Sequence, residues 1–359
     1  MRSVADVIDR LSAPRISELE APLLLPSGND EGPRLGLAVA SMRHHTTDEG
    51  WQLFAGLEHA DWTLVGHALP NSLTNVPAIL DAFKPSTVLL QDKREWEGRT
   101  AGGPAAGYNN QERFSSVEAL LQRPDVFKLT VLKDAQNSPQ YHCHSAEEIG
   151  CHAWVVYYHP RIVKHLAPFV RERHLVKTWH SVDRDIVPPF RAFTRTDRCI
   201  ASGAISGAYP LRTQVRGWAG RGELPDVDWI PHPGYGRDKC HTPEYLRRLS
   251  EYKVAICTSS IYGYALRKII EATACGCRVI TDLPTDEVMP EIDGNLVRVD
   301  PAIGPREMRE IVRKEIADWE PWAQERMASR AKEWYDFREV GQRLTNDIEA
   351  MRRGYSCHT

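Results

Sequence analysis

Apolar runs alternate with amphipathic stretches from about residue 34 onward. Short apolar runs bounded by turn residues predict buried parallel strands, and the stretches between them carry apolar positions at helical spacing. In the first half, the predicted strands are residues 35–40, 63–67, 87–90, 128–132 and 153–157, and the predicted helices are residues 48–57, 76–83 and 117–121. Strands alternating with helices predict a parallel sheet covered by helices on both faces.

The same alternation begins again after Pro188 and Pro189, which interrupt regular structure and predict a hinge. The predicted strands are residues 199–203, 228–230, 253–257, 278–281 and 296–299, and the predicted helices are residues 208–218, 243–252, 264–275, 307–316 and 321–350. The predicted fold class is therefore α/β, with two Rossmann-like domains facing a cleft. We expect a leader over residues 1–33, an N-terminal domain over 34–188, a C-terminal domain over 189–318, and helices over 319–359 that pack back across the domains.

Composition agrees with a two-domain enzyme. The chain has 359 residues, more than the length at which single cores stop growing, and it is 42% hydrophobic and 26% charged. The net charge of -3 creates no global field for nucleic acid, although it permits a local basic cleft. The N-terminus lacks a basic stretch that leads into an apolar run, and no segment reaches membrane-spanning length. We therefore expect a cytoplasmic protein with no membrane span and with reduced cysteines.

The most informative segment is residues 253–285, where a buried strand runs into a turn and then a helix that ends at Gly276. This order places backbone N–H groups and a helix N-terminus at the carboxyl edge of the sheet, where anions bind. Arg267 and Lys268 in the first turn can neutralise a diphosphate, and Glu271 can accept hydrogen bonds from a ribose. The alternative is an ordinary solvated helix face with i,i+4 pairing.

Residues 266–280, LRKIIEATACGCRVI, resemble the donor-site helix of GT-B glycosyltransferases, especially retaining family-4-like enzymes and their spore-maturation-type relatives. The resemblance implies that Glu271 holds the nucleotide ribose, and that Arg267 and Lys268 neutralise the diphosphate of a nucleotide sugar. It implies no cofactor and no metal, since the nucleotide-diphosphate sugar is a co-substrate. Family-4 enzymes carry another Glu eight positions earlier, where this chain has Gly263, so the choice between retention and inversion stays open.

Residues 199–212, CIASGAISGAYPLR, resemble the second phosphate loop of the same family. Gly203 lets backbone N–H groups approach an anion, Ser206 offers a hydroxyl, and Arg212 adds charge. Two such turns at strand ends, each followed by an arginine, favour a donor site over a purely structural turn. The predicted donor-binding residues are Gly203, Ser206, Arg212, His232, Tyr264, Arg267, Lys268 and Glu271, with a plain turn as an equal alternative for His232.

Catalytic candidates are expected mostly in the N-terminal domain, since transfer takes place between the two sheets and the acceptor needs a group that can take its proton. Asp92 and Asp134 each follow a predicted strand, where a carboxylate can face a cleft, although turn and cap roles are the common alternative. His180 lies where the family has its interdomain connection, with a structural histidine as the alternative. The predicted catalytic residues are Asp92, Asp134, His180, Arg267 and Lys268.

A zinc site formed by His142, Cys143 and His144 with Cys151 and His152 is a minority hypothesis. Sulfur and imidazole ligands cluster there within eleven residues, but the spacing fits no common zinc knuckle. The prediction is therefore that the chain holds no metal.

The predicted function is transfer of a sugar from a nucleotide-diphosphate donor to an acceptor hydroxyl. A nucleotide-sugar epimerase or hydrolase of the same fold and a non-catalytic nucleotide-sugar-binding protein are the alternatives. A dehydrogenase is disfavoured because no G-x-G-x-x-G follows the first strand. The acceptor is open between a saccharide, a small molecule and DNA carrying a hydroxymethylated pyrimidine; Lys93, Arg94 and Arg99 would bind phosphates of the last. We expect the acceptor beside residues 43–45 and 92–107.

Overall fold

A computed structural model describes residues 36–40, 49–66, 84–90, 99–100, 103–104, 123–132, 150–166, 174–231 and 242–356. These residues form two compact units. The first contains residues 36–40, the described residues between 54 and 178, and residues 341–356. The second contains residues 49–53 and the described residues between 179 and 340.

The first unit is built on a parallel sheet. Its strands are β1 (Gly36–Ala40), β2 (Trp62–Gly66), β3 (Thr87–Leu90), β6 (Phe127–Leu132), β7 (Ala153–Val156) and β8 (Leu175–Lys177), and a separate antiparallel pair is formed by β4 (Arg99–Thr100) and β5 (Gly103–Pro104). The sheet has the order β2-β1-β3-β6-β7-β8, and every pairing is parallel. Among the described residues before β9, the helices are α1 (Glu49–His59) and α2 (Pro160–Leu166). Strands β6 and β7 are buried along their whole length, as expected for central parallel strands.

The second unit repeats this plan with five strands. They are β9 (Thr196–Gly203), β10 (Val227–Pro231), β11 (Tyr252–Ile256), β12 (Arg278–Thr281) and β13 (Leu296–Arg298), in the all-parallel order β10-β9-β11-β12-β13. The helices are α3 (Pro210–Gly220), α4 (Thr242–Leu249), α5 (Arg267–Ala274), α6 (Pro305–Ala317), α7 (Pro321–Trp334) and α8 (Phe337–Ser356), and α8 continues into the first unit after Val340.

The two faces of the second sheet have separate cores, because side chains along a strand alternate between faces. Cys199 and Ala201 on β9 pack with residues of α3 and α6, such as Leu211 and Met308. Ile200, between them, packs in the other cluster with residues of α4, α5 and α7. Helices therefore cover both faces, which confirms the predicted α/β class with Rossmann-like parallel sheets.

Helix α5 ends where the sequence predicts. Gly276 has a left-handed φ of 84°, and its N–H donates to Thr273 O at 2.9 Å while Cys277 N–H donates to Ala272 O at 2.9 Å. This pair of bonds is the Schellman motif, which favours glycine at that position. The predicted start at residue 264 is wrong, since the helix begins at Arg267. Gly263 has a φ of 58°, and this left-handed turn keeps the chain out of helical geometry for the next residues.

The predicted single helix over residues 321–350 is also wrong, since it is divided into α7 and α8. The break is held by a bridge in which Val182 N–H donates to Tyr335 O at 2.9 Å and Phe337 N–H donates to Val182 O at 3.0 Å. Asp336, between them, is fully buried. This interruption depends on a distant segment, which explains why the helical pattern alone does not reveal it.

Helix α2 and strand β8 were not among the predicted elements. They are short, with seven and three residues, so their hydrophobic periodicity is weak. The predicted helices over residues 76–83 and 117–121 lie outside the described residues. No helix in the described part of the chain is both long and apolar enough to cross a bilayer.

Candidate nucleotide-sugar site

In the second sheet, the next strand along the chain after β9 is added on one side of it and the following strand on the other, so that β9 lies between β10 and β11. The strand order therefore changes direction at β9. The helices that follow β9 and β11 pack on opposite faces of the sheet. A crevice therefore opens between the carboxyl ends of these two strands, and ligands of open α/β sheets bind in such crevices. The loop of residues 204–209 follows β9, and the loop of residues 257–266 follows β11.

Gly203 closes β9 in a conformation that requires glycine. Its φ is 128°, and a Cβ atom added there would lie 2.9 Å from Arg212 Nη1 and 3.0 Å from Lys268 Nζ. Two cations from different helices, α3 and α5, thus converge on the backbone at one strand end. The structure brings together three of the predicted donor-binding residues at this point.

Arg212 is 5% exposed and is fixed by the loop that follows β11. Its Nε donates to Thr258 Oγ1 at 3.0 Å, its Nη2 donates to Thr258 O at 3.3 Å, and its Nη1 donates to Ala204 O at 3.3 Å. Its guanidinium carbon lies 3.9 Å from the centre of the Tyr209 ring. Burial lowers the pKa of the guanidinium, which stays charged because arginine does not deprotonate in proteins.

Lys268 extends from the first turn of α5 towards β9. Its Nζ donates to Ser202 Oγ at 3.0 Å and lies 5.3 Å from the centre of the Tyr245 ring. Burial, and then the adjacent charge of Arg212, lowers the pKa of Lys268 to about 8. Two neighbouring buried cations repel each other, so an anion bound between them would relieve an unfavourable interaction.

The two loops are joined, and the start of α5 adds to the positive potential. Ile261 N–H donates to Ala208 O at 2.9 Å, which links the loop after β9 to the loop after β11. Leu266, the residue before α5, has an extended backbone and provides no side-chain cap. The first N–H groups of a helix that lacks a side-chain cap attract anions.

Arg267 and Glu271 form a pair within α5. Their Nε and Oε1 atoms are 2.9 Å apart, and their side chains are only 13% and 6% exposed. The i,i+4 pairing that the sequence left as an alternative is therefore present, but it is buried rather than solvated. A buried carboxylate that is paired with a guanidinium is suited to accept hydrogen bonds from a pair of hydroxyl groups.

Three other predicted residues are described at the same edge of the sheet or beside it. The rings of His180 and Tyr264 lie with their centres 6.3 Å apart, and His180 is 6% exposed. Ser206 is exposed, and its Oγ accepts a hydrogen bond from Ala208 N–H at 3.3 Å. Asp92, Asp134 and His232 lie outside the described residues, so their roles stay predictions.

The sequence did not reveal four residues of this region: Ser202, Tyr245, Thr258 and Asp282. Ser202 Oγ lies 2.9 Å from Tyr245 Oη, and Asp282 Oδ1 accepts a hydrogen bond from Ser259 N–H at 2.5 Å. Ser202, Thr258 and Asp282 each end or follow a predicted strand, so their positions carried a usable signal. Tyr245 lies within α4, and no local pattern connects it to the site.

Gly263 adopts a backbone conformation that favours glycine. With its φ of 58°, a Cβ atom added there would lie 2.9 Å from Pro284 Cγ. A glutamate at this position would therefore need both a strained backbone and a displaced proline loop.

The residues of the zinc hypothesis that the structure describes have structural partners. His152 Nδ1 accepts a hydrogen bond from Lys128 N–H at 3.0 Å, and its ring stacks on Phe127 at 5.1 Å. Burial raises the pKa of the Cys151 thiol to about 12, which disfavours the thiolate that binds metal. Within the described ranges no group of three or more His, Cys, Asp or Glu side chains is placed to hold a metal ion. His142, Cys143 and His144 lie outside them.

Comparison with solved structures identifies the fold. The chain is similar to HepE (Alr3699) of Anabaena in complex with UDP-glucose, with a TM-score of 0.52, 10% identity, and coverage of 88% of this chain and 99% of HepE. It is also similar to the N-terminal domain of Candida albicans trehalose-6-phosphate phosphatase, with a TM-score of 0.57, 9% identity, and coverage of 89% and 97%. No protein-family model matches the chain. No curated protein matches it either.

At these identities the similarity establishes the fold alone. The chain has a GT-B glycosyltransferase-like fold of two Rossmann-like units, as the resemblance of residues 199–212 and 266–280 implied.

Proposed function

We propose that the protein is a glycosyltransferase that binds a nucleotide-diphosphate sugar at the carboxyl ends of β9 and β11. One observation carries the proposal: Arg212 and Lys268 converge within about 3 Å of the position a Gly203 side chain would occupy, at the point where the strand order reverses. Adjacent buried cations at such a crevice are suited to a diphosphate. HepE, which shares the fold, has been crystallised with UDP-glucose.

The residues have distinct proposed roles. Arg212 and Lys268 stabilise the negative charge that develops on the departing nucleotide diphosphate. Glu271 accepts hydrogen bonds from the ribose hydroxyls, and Arg267 holds its carboxylate in place. Because these cations neutralise the leaving group, no divalent cation is required in this proposal, and transfer should survive EDTA.

The test of the donor site is calorimetric titration with a panel of UDP- and GDP-sugars. The Glu271→Gln variant should bind the preferred donor about ten- to a hundredfold more weakly, since hydrogen bonds to a charged group contribute roughly 1.5–3 kcal/mol. Glu315→Gln is the matched control, because Glu315 is also buried and paired, with Arg278 Nε at 3.1 Å. A wild-type protein that binds none of these donors would refute the proposal.

The reaction is tested by mass analysis of products with and without acceptor. Transfer requires a new glycoside, whereas an epimerase or hydrolase would change or release the sugar when no acceptor is present. We propose an acceptor hydroxyl beside residues 92–107, with saccharides and hydroxymethylated DNA as the two substrate classes to test. A DNA acceptor predicts turnover that falls steeply with salt, and a saccharide predicts weak salt dependence.

A further inference from the structure

Tyr245 on α4 is linked to Lys268 in two ways, one through Ser202 and one direct. Its hydroxyl lies 2.9 Å from Ser202 Oγ, which accepts a hydrogen bond from Lys268 Nζ at 3.0 Å. Its ring centre lies 5.3 Å from the same ammonium, within the range of a cation–π interaction. The chain of contacts runs from α4, through the last but one residue of β9, to the first turn of α5.

Lys268 needs such support because two effects act against its position. A lysine side chain loses rotamer entropy when it is fixed, and the charge of Arg212 disfavours a second cation nearby. Arg212 is itself fixed by three hydrogen bonds to Ala204 and Thr258. Without Ser202 and Tyr245, the flexible member of the cation pair would move away from the rigid one.

We propose that Tyr245 is a positioning residue for the donor diphosphate, which acts through Ser202 to hold Lys268 beside Arg212. The inference rests on the proposed function and extends it to a residue remote in sequence. Burial raises the pKa of the Tyr245 phenol well above its usual range, so the phenol is neutral at working pH and can donate or accept a hydrogen bond. Holding the ammonium before the ligand arrives lowers the entropy lost on binding.

The first test compares UDP with uridine, which has the same base and ribose but no phosphate. Tyr245→Phe keeps the ring and removes the hydroxyl, and it should weaken UDP binding about three- to tenfold, the loss expected from one net hydrogen bond, while leaving uridine binding unchanged. In a Lys268→Met background the same change should have no further effect on UDP affinity. Equal losses for UDP and uridine, or additive losses in the double variant, would overturn the proposal.

Tyr252→Phe is the matched control. Its hydroxyl also forms one hydrogen bond, to Asp228 at 3.0 Å, but Tyr252 begins β11 at the opposite edge of the sheet. We expect UDP affinity to stay within twofold of wild type in this variant. Circular dichroism and thermal melting of each variant verify that the fold is retained.

A second measurement does not depend on nucleotide binding. In protein labelled with ¹³C-lysine, a fixed Lys268 should show two distinct ε-methylene proton signals, which are assigned by their loss in Lys268→Arg. These signals should merge in Tyr245→Phe and in Ser202→Ala as the side chain becomes mobile. Signals that stay separate in both variants would refute the positioning role, whereas a wild type that fails to bind UDP, GDP and their sugars would refute the proposed function alone.

Discussion

The second sheet buries an arginine at each of its edges, and the two arginines differ in the groups that surround them. Arg195 at the amino edge donates to Tyr252 O at 2.6 Å and to Cys275 O, and its guanidinium carbon lies 4.9 and 5.4 Å from the ring centres of Phe190 and Trp319. Cys275 caps the C-terminus of α5, the negative end of the helix dipole. The two Nη atoms of Arg195 therefore have carbonyl acceptors, whereas its Nε has no hydrogen-bond partner among the described residues and Lys332 lies near enough to be affected by its charge.

Arg212 at the carboxyl edge is equally buried and also lies against an aromatic ring, but the side chain of a second buried cation converges on the same strand end. Lys268 lies beside it, and α5 presents its positive end there rather than its negative one. The comparison teaches that a buried arginine is not in itself a sign of a ligand site. What distinguishes Arg212 is that Lys268 and the N-terminus of α5 meet it beside Gly203, at the carboxyl edge of the sheet.

The largest expected effects come from removing each arginine in turn. Arg195→Met should lower the free energy of unfolding by about 3 kcal/mol or more, because two buried carbonyls lose their donor. Arg212→Met should cost about 1 kcal/mol or less, since the lost hydrogen bonds are offset by relief of repulsion with Lys268, but should weaken donor binding about a hundredfold. Urea unfolding and calorimetric titration measure the two quantities, and a reversed pattern would contradict the comparison.

Substitutions of the glycines beside the two arginines should show the same contrast between stability and donor affinity, with smaller effects. A Cβ on Gly276 would lie 2.6 Å from Phe190 Cε2 and 2.7 Å from Arg195 Nη2, so Gly276→Ala should cost about 2 kcal/mol of stability with little change in the affinity of folded protein. Gly203→Ala would push against the ends of Arg212 and Lys268, so it should reduce donor affinity about tenfold. Equal affinity losses in both variants would argue against separate roles.

The smallest expected effect is a dependence of donor affinity on pH. Lys268, with a pKa of about 8, is about 90% charged at pH 7 and about 25% charged at pH 8.5, and a bound diphosphate favours the charged form. Affinity for UDP-glucose should therefore fall about fourfold as pH rises between these values. Of the charged groups that act on Lys268, Arg212 lowers its pKa and Glu271 raises it. Burial raises the pKa of the Cys257 thiol to about 12, so this thiol stays neutral in the same pH range. Lys268→Arg should abolish this dependence of donor affinity on pH. If the affinity of this variant still falls as the pH rises, the titrating group is not Lys268.

The sequence predicted the parts of the site that follow strands in the chain. Gly203, Arg212 and Lys268 lie in segments where a buried strand meets a turn and a helix, and that order alone places them at the carboxyl edge of a parallel sheet. The bounds of β12 were predicted to the residue, because its apolar run lies between a glycine-stopped helix and a proline-containing turn.

The contacts that cross between elements were not predictable from local pattern. Arg195 and Tyr245 become significant only when the carbonyls of Tyr252 and Cys275, or the hydroxyl of Ser202, are brought to them by packing. The break at Asp336 is of the same kind, since Val182 lies more than 150 residues away in the chain. Periodicity reports which face of an element is buried, but not what it is buried against.

The hydrogen bond between Ile261 N–H and Ala208 O has a consequence for protein engineering. Because it joins backbone atoms of two loops, it tolerates almost any side chain at either position. It does not tolerate a change in the length or backbone path of one loop alone. Residues 204–209 and 257–266 therefore form a single unit of exchange. A library that recombines these segments from related proteins should keep them as parental pairs, whereas one that varies only their side chains can sample each segment separately.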